Sequence, residues 1–191
     1  MKGSTSNPMG MLTGLSAGKS QPRQGLGGPA RQPVLLKDLA MRIARDGTWY
    51  YQGSPINRLP LVKLFASALR QENDGEYWLV TPAERGRVEV EDVPFTAVVL
   101  RAEGSGQGQR LIFRSNLDEE VTAGEDHPLR LAKASGSGEA IPYILIRDRL
   151  EARVLRPVFY QLVELGEANG EQFGVWSSGR FFPLGRLDPA G

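Results

Sequence analysis

Two arginines lie where the sequence predicts helices to begin. Arg58 and Arg156 are each followed within two residues by a proline and then by apolar residues at helical spacing. The start of a helix carries partial positive charge and unpaired N–H groups, so a cation there is unfavourable unless an anion accompanies it. One explanation is an anionic ligand that both arginines bind. The alternative is an internal ion pair, for which the candidate carboxylates are Asp46, Glu84, Asp148 and Glu151.

His127 is the only histidine, and the chain has no cysteine. These counts argue against a structural zinc site, an iron–sulfur cluster, a thiol nucleophile and a disulfide framework, and we predict no metal site and no cofactor. A hydrolase would have to use His127 with a carboxylate, yet no G-x-S-x-G motif is present. A loop histidine paired with Glu125 and Asp126 is the simpler interpretation. We therefore expect a non-catalytic protein, with a hydrolase as one alternative.

The net charge and the positions of the aromatic residues limit the classes of binding partner that the sequence predicts. The 23 basic and 22 acidic side chains leave a net charge of +1, which provides no overall field for nucleic acid or a membrane surface. No apolar run approaches the roughly 18 residues of a spanning helix, so we expect a cytoplasmic protein. Trp49 and Tyr51 share one face of a predicted strand and could stack on a ligand, although core packing is their commoner use.

The first 33 residues differ in composition from the rest. They contain seven glycines and four prolines, and they lack both aromatic and acidic residues. Such a segment cannot bury enough apolar surface to offset its ordering entropy, so we predict a disordered tail. Its GLSAGKS sequence, 14–20, is superficially similar to a phosphate-binding loop. The glycines are one residue too close, and no strand precedes them.

The rest of the chain predicts an α+β fold. Asp46-Gly47 is typical of a hairpin turn, here between 41–45 and 49–52. Apolar spacing predicts a helix over 59–72, which Asn73-Asp74-Gly75 would end. Strands are expected at 76–81, 87–91, 95–102 and 110–114.

The predicted elements occur twice, at an offset near 100 residues. The order is hairpin, arginine before a proline, helix, asparagine turn and strands, and the second copy begins near residue 145. This pattern favours an internal duplication. The second copy has Arg149-Leu150 in place of Gly47-Thr48, so its hairpin turn is less well predicted.

Six blocks between about residues 39 and 185 carry a family pattern. They are RDGTWYYQGSPINRLPLVKLFASALR, YWLVTPAER, VEVEDVPF, FRSNLDEEVTAGEDHPL, PYILIRDRLEARVLRPVFYQLVEL and GVWSSGRFFPLG. Together they closely resemble the bacterial family called domain of unknown function 1285. The resemblance implies two related α/β modules in tandem, the second similar to pleckstrin-homology domains, and a nucleotide-like ligand between them. The polar positions that would recur are Arg45, Trp49, Tyr51, Ser54, Thr81, Glu84, Asp92, Arg114, Asn116, His127, Arg156, Tyr160, Trp176 and Ser177.

We therefore expect a disordered tail (1–33), an N-terminal module (34–94) and a pleckstrin-homology-like C-terminal module (95–191). The expected function is binding of a small anionic, nucleotide-like ligand between the modules, with signalling through a change in their packing. Arg58 and Arg156 would hold the anion, and Trp49 or Tyr51 would stack on the ligand. Further candidate contacts are Arg45, Ser54, Arg114, Asn116, His127, Tyr160 and Trp176. The other alternative is a protein-interaction adaptor with an apolar patch that includes Phe181 and Phe182.

Overall fold

The computed structural model describes residues 34–133 and 140–187, so the predicted tail lies outside the described residues. The strands are β1 (Val34–Ile43), β2 (Trp49–Tyr51), β3 (Ser54–Pro55), β4 (Leu69–Gln71), β5 (Tyr77–Val80), β6 (Glu84–Val90), β7 (Phe95–Glu103), β8 (Arg110–Ser115), β9 (Glu120–Thr122), β10 (Leu129–Lys133), β11 (Ala140–Arg147), β12 (Leu150–Val154), β13 (Glu167–Asn169), β14 (Gln172–Ser177) and β15 (Arg180–Arg186). The helices are α1 (Leu59–Ala68) and α2 (Arg156–Glu164), and 106–108 form a single 3-10 turn. Neither α-helix of this described part is long and apolar enough to cross a membrane. The predicted α+β class is confirmed.

The first compact unit is built on a mixed six-stranded sheet. It comprises the described residues up to Ile43 together with 49–90, and its strand order is β3-β2-β1-β6-β5-β4. Neighbouring strands are antiparallel except β1 and β6, which are parallel. The Phe65 ring on α1 stacks on Trp49 of β2 with the ring centroids 6.4 Å apart. Helix and sheet therefore share one apolar core.

The second compact unit contains two sheets and comprises 44–48 and the described residues from Glu91 onwards. The larger sheet has the order β10-β11-β12-β7-β8-β9, and the smaller one has the order β13-β14-β15. α2 contacts β7 and β14, with Val158 and Leu162 buried. The other largest fully buried side chains of this unit are Phe95, Leu111, Phe113, Ile144, Leu150 and Val175.

Both hairpins of the duplicated pattern are formed. β1 and β2 pair antiparallel, and Gly47 in their turn has a φ of +86°. β11 and β12 also pair antiparallel, although the second copy lacks the glycine. There Asp148 takes the left-handed conformation with a φ of +48°, which aspartate tolerates better than most residues. The second hairpin therefore forms with an aspartate, and not a glycine, in the left-handed conformation of its turn.

Helix α1 ends at Ala68, four residues earlier than the spacing predicts. Residues 69–71 instead pair with Tyr77–Leu79 as an antiparallel hairpin. Asn73-Asp74-Gly75 turns this hairpin, with a φ of +86° at the glycine, and does not end a helix. Leu69 is fully buried as a strand residue and would satisfy helical spacing equally well. Periodicity alone therefore could not place the end of the helix.

The two units repeat the order hairpin, helix and three-stranded antiparallel meander, which supports the predicted duplication. The elements are β1–β2, α1 and β4–β6 in the first unit, and β11–β12, α2 and β13–β15 in the second. The copies differ in how the meander is attached. In the first unit β6 pairs with β1, so hairpin and meander form one sheet. In the second the meander is a separate sheet, and the hairpin lies between β10 and β7.

Candidate functional site

Arg58 is the N-cap residue of α1 in the first unit. Its side chain is exposed, the helix start has no side-chain cap, and the first turn holds no acidic residue. Among the described residues no hydrogen bond, ion pair or ring contact of the Arg58 side chain is found. The internal ion pair that the sequence left open is thus not formed within the described chain, and an exposed cation at this position costs about 0.3–1 kcal/mol.

Arg156 is the first residue of α2 in the second unit, where it is exposed at the edge of a cavity of about 250 Å³. Arg153 of β12 and Phe159 of α2 line the same cavity. The complete lining is Ala140, Ile141, Pro142, Arg153, Val154, Leu155, Arg156 and Phe159. This set includes two cations and an aromatic ring but no carboxylate. Because an arginine fork binds phosphate or carboxylate through two parallel hydrogen bonds, the cavity is suited to an anion.

Arg153 is fixed by a polar network next to this cavity. Its Nη1 lies 2.8 Å from Asp92 Oδ2, and the Tyr143 hydroxyl donates to Asp92 Oδ1 at 3.0 Å. Burial and the hydrogen bond to Asp92 raise the pKa of Tyr143 above its usual value, so its hydroxyl stays protonated at neutral pH. Asp92 therefore balances the charge of Arg153 beside the cavity.

The same network extends to β10. The Arg130 guanidinium lies over the Tyr143 ring, 4.5 Å from its centroid, and it forms a bidentate ion pair with Glu151. The hydrogen bond to Glu151 raises the pKa of Arg130 above its usual value. Glu151, one of the carboxylates considered for Arg156, is thus engaged by Arg130.

The side chain of Asn116 is used within the second unit. Its Oδ1 accepts from the Thr96 N–H at 3.1 Å, and its Nδ2 donates to the Gly47 carbonyl oxygen at 3.3 Å. Arg45, in the same turn as Gly47, has an exposed side chain and a backbone N–H that donates to Glu91 at 3.0 Å. In this structure Asn116 therefore holds a turn, and its amide has no free polar group directed to a ligand cavity.

Trp49 is the main correction among the predicted ligand contacts. It is 1% exposed and stacks on Phe65, so it offers no face to a ligand. Tyr51, two residues along the same strand, is half-buried, and its hydroxyl accepts from Gln52 Nε2. Ser54 is exposed on the short edge strand β3. The strand alternation was read correctly, but the face that holds Trp49 packs against α1.

The remaining predicted contacts lie in the second unit, but none of them lines the cavity beside Arg156. Arg114 is exposed on β8, and Tyr160 on α2 is 59% exposed. Trp176 is half-buried against Phe181, with the ring centroids 5.2 Å apart. His127 Nδ1 lies 3.0 Å from the Leu145 carbonyl oxygen. Since a carbonyl only accepts, Nδ1 carries the proton in this contact.

Two further predictions are wrong: the pairing of His127 with its acidic neighbours, and the exposed patch of Phe181 and Phe182. Within the described residues His127 makes no ion pair with Glu125 or Asp126, and its Nδ1 faces the Leu145 carbonyl oxygen instead. Phe182 is 4% exposed and belongs to the core, so it cannot form an exposed patch with Phe181. The alternation along β15 places the two rings on opposite faces.

Sequence reasoning missed Arg153 and Phe159 as residues of a cavity. Apolar and charged residues alternate along Leu150–Val154, and this alternation was the sequence signal that Arg153 lies on the less buried face of a strand. In the structure the apolar residues of this strand are buried and Arg153 is half-buried. Phe159 of α2 is half-buried. Recognition of the cavity needed the position of β11, whose first residues form the opposite wall.

Comparisons with known proteins agree on one family. The model described as "Domain of unknown function (DUF1285), N-terminal domain" matches residues 30–93, and that for "Protein of unknown function (DUF1285), C-terminal domain" matches 94–184. The crystal structure of a DUF1285 family protein from Silicibacter pomeroyi DSS-3 is 42% identical, covers 93% of this chain and 95% of that chain, and has a TM-score of 0.79. Another, from Shewanella baltica OS155, is 25% identical, covers 65% and 90%, and has a TM-score of 0.51. No curated protein matches the chain.

Proposed function

This chain belongs to the DUF1285 family, whose function is unknown, and we propose that it is a non-catalytic protein that binds a small anion through its second unit. The observation that carries the proposal is the cavity of about 250 Å³ shared by Arg153 and Arg156. Its lining holds two arginines and no carboxylate, and Asp92, which pairs with Arg153, lies next to it. Helix α2 begins at the same place, and the partial positive charge of a helix start favours an anion there.

The size of the cavity limits what it can enclose. Pockets that enclose a drug-sized ligand have volumes of about 300–1,000 Å³, and this one is smaller. It fits a phosphate or carboxylate group with a small substituent. The base of a nucleotide-like ligand would extend out of it, past the half-buried Phe159 ring of the lining. The proposed ligand class is therefore a small phosphate or carboxylate compound.

The proposal is tested by thermal unfolding of the full chain with inorganic pyrophosphate and with AMP. A ligand that binds only the folded state at 100 times its Kd stabilises it by about 2.7 kcal/mol, which raises the Tm of a domain of this size by roughly 5–10 °C. We expect Arg156→Gln to remove this rise. Arg180→Gln is the matched control, because Arg180 is exposed in the same unit but does not line the cavity. Equal shifts in both variants, or none in the wild type, would overturn the proposal.

Arg58 is proposed as a second anion contact because no described residue neutralises it at the start of α1. Its own test is Arg58→Gln, which should lower the Tm rise measured with the same anions. An unchanged rise in Arg58→Gln would overturn this second contact. The proposed role in signal transduction depends on this ligand, since a signal requires a state that changes with occupancy.

A protein-interaction adaptor is the second candidate function. The observation that favours it is the outer face of α2, where Tyr160 is 59% exposed and Val163 is 37% exposed. These residues are three positions apart and therefore adjacent on the helix. If no anion shifts the Tm, and self-association measured by sedimentation is lost in Tyr160→Glu, the adaptor becomes the better account.

A further inference from the structure

A carboxylate lies next to the cavity beside Arg156 without lining it. Asp92 belongs to the segment between β6 and β7, and it is not among the lining residues. Its Oδ2 lies 2.8 Å from Nη1 of Arg153, which does line the cavity. An anion held by Arg153 would therefore have a second negative charge close to it, on the other side of the same guanidinium.

The register of three neighbouring strands brings this carboxylate to Arg153. Tyr143 of β11 is the direct partner of Arg153 in the β11–β12 ladder, so the two side chains lie on the same face of the sheet. On its other side β12 pairs with β7, where the partner of Arg153 is Thr96, four residues after Asp92. The Tyr143 hydroxyl lies 3.0 Å and 3.2 Å from the two carboxylate oxygens of Asp92. Asp92 is therefore held in place by both a phenol and a guanidinium.

Asp92 engages only one of the three nitrogens of the Arg153 guanidinium. Nη1 makes the bond to Asp92, and among the described residues Nε and Nη2 of Arg153 have no hydrogen-bond partner. An arginine edge of two nitrogens binds phosphate or carboxylate through two parallel hydrogen bonds. An anion oxygen bound there would lie roughly 5–7 Å from Asp92, because one guanidinium would hold both groups at hydrogen-bond distance.

At this distance the charge of Asp92 acts against every negative charge that the ligand carries. The side chains of Asp92 and Arg153 are only 19% and 24% exposed, so water and salt screen them incompletely. Two unit charges about 6 Å apart repel by an energy worth about threefold in affinity in bulk water and about a hundredfold at an effective dielectric constant of 20. For each added charge on a ligand, this repulsion offsets the attraction to Arg153. A second charge on the same group therefore gains little from the pair.

We propose that Asp92 is a specificity-determining residue, which makes the cavity favour a singly charged group over a doubly charged phosphate monoester. Specificity can come from repulsion of a competitor as well as from attraction of the ligand. A doubly charged group costs more to remove from water, and beside Asp92 it gains little in return. The favoured ligand is then a carboxylate, a sulfate ester or a phosphate diester. This inference rests on the proposed function and narrows its ligand class by charge.

The test compares AMP with adenosine 5′-sulfate by isothermal titration calorimetry on the full chain. The two compounds have nearly the same shape, but at about pH 7.5 the sulfate carries one negative charge fewer. We expect the wild type to bind the sulfate at least as tightly as AMP. Asp92→Asn keeps an oxygen that can accept from Arg153 and removes the charge, so it should improve AMP binding relative to sulfate binding by at least about threefold. Tighter binding of AMP than of the sulfate by the wild type would overturn the inference without any variant.

Glu119→Gln is the matched control for removal of a paired carboxylate. Glu119 Oε2 lies 3.0 Å from Arg147 Nε in the same unit, and neither residue lines the cavity. We expect this variant to leave the ratio of the two affinities unchanged. An equal change of the ratio in Glu119→Gln and Asp92→Asn would overturn the inference. So would weaker binding of both compounds by the same factor in Asp92→Asn, because Asp92 would then only position Arg153. If neither compound binds the wild type or a variant, the proposed function itself fails.

Discussion

Asn116 fixes the turn between β1 and β2 through Gly47. Its Nδ2 donates to the Gly47 carbonyl oxygen at 3.3 Å, while its Oδ1 accepts from the Thr96 N–H at 3.1 Å. A Cβ added at Gly47 would lie 2.7 Å from this Nδ2, and the φ there is +86°. Position 47 therefore favours glycine for two reasons, the positive φ of the turn and the close approach of the Asn116 amide.

Gly47→Ala is expected to lower the free energy of unfolding by about 1–3 kcal/mol, because it combines left-handed strain with this close contact. Asn116→Ala should cost about 1–3 kcal/mol, since it leaves the Thr96 N–H unsatisfied. In the double variant the contact is gone, so the combined cost should be smaller than the sum. Urea unfolding of the four proteins measures this coupling. Strict additivity would contradict the contact.

Turn chemistry made the hairpin at Gly47 predictable, whereas the turn at Gly75 was assigned to the end of a helix and belongs to a hairpin. Gly47 and Gly75 both marked turns, because positive φ is a local requirement that the residue type reveals. Leu69 is buried in a strand and would also be buried on a helix, so its environment could not be read from spacing. The pairing of β4 with β5 decides between strand and helix at Leu69, and that pairing depends on residues nearby in space.

The predictable part of the candidate site was the one in which a charged residue lies at the start of a helix. Arg58 and Arg156 were identified because a cation at a helix start is unusual. Trp49 was misjudged because alternation gives the face that a residue shares but not which face packs against α1. Arg153 was missed because its role depends on Asp92, 61 positions earlier in the chain. Such non-local pairs carry no local sequence signal.

Trp49→Phe tests whether Trp49 is a core residue and not a ligand contact. The Trp49 indole N–H is buried without a hydrogen-bond partner in the described structure, so phenylalanine removes an unsatisfied donor while keeping a ring against Phe65. We expect a loss below about 1.5 kcal/mol, against roughly 3–5 kcal/mol for Trp49→Ala. Any Tm rise with pyrophosphate should be unchanged in Trp49→Phe. A selective loss of that rise would show that Trp49 contacts the ligand.

Alkaline pH is expected to destabilise the protein through Tyr143. Burial and the hydrogen bond to Asp92 raise its pKa in the folded state above the usual value of 10.0. The unfolded chain therefore loses this proton first as the pH rises. The stabilisation is complete below about pH 10 and is lost as the pH rises through the folded-state pKa.

Tyr143→Phe has no phenol at this position to ionise. Its free energy of unfolding should be lower than that of the wild type at neutral pH, because the hydrogen bond is lost, but should fall less steeply above about pH 10. Tyr160→Phe is the control for removal of a tyrosine hydroxyl, since Tyr160 is 59% exposed. Urea unfolding across this pH range measures the slopes. Parallel profiles for wild type and Tyr143→Phe would refute the assignment.

Two glycines of the smaller sheet provide a matched pair for its packing. A Cβ at Gly174 of β14 would lie 2.3 Å from the Phe182 carbonyl oxygen, whereas a Cβ at Gly185 of β15 meets nothing within 4 Å. The backbone oxygen cannot move without disturbing the β14–β15 pairing, so Gly174→Ala should cost at least about 1–3 kcal/mol. Gly185→Ala should be neutral or stabilise by up to about 1 kcal/mol, because alanine restricts the unfolded chain more than glycine does. Thermal unfolding compares the two, and equal Tm values would show that the strands are not packed this closely.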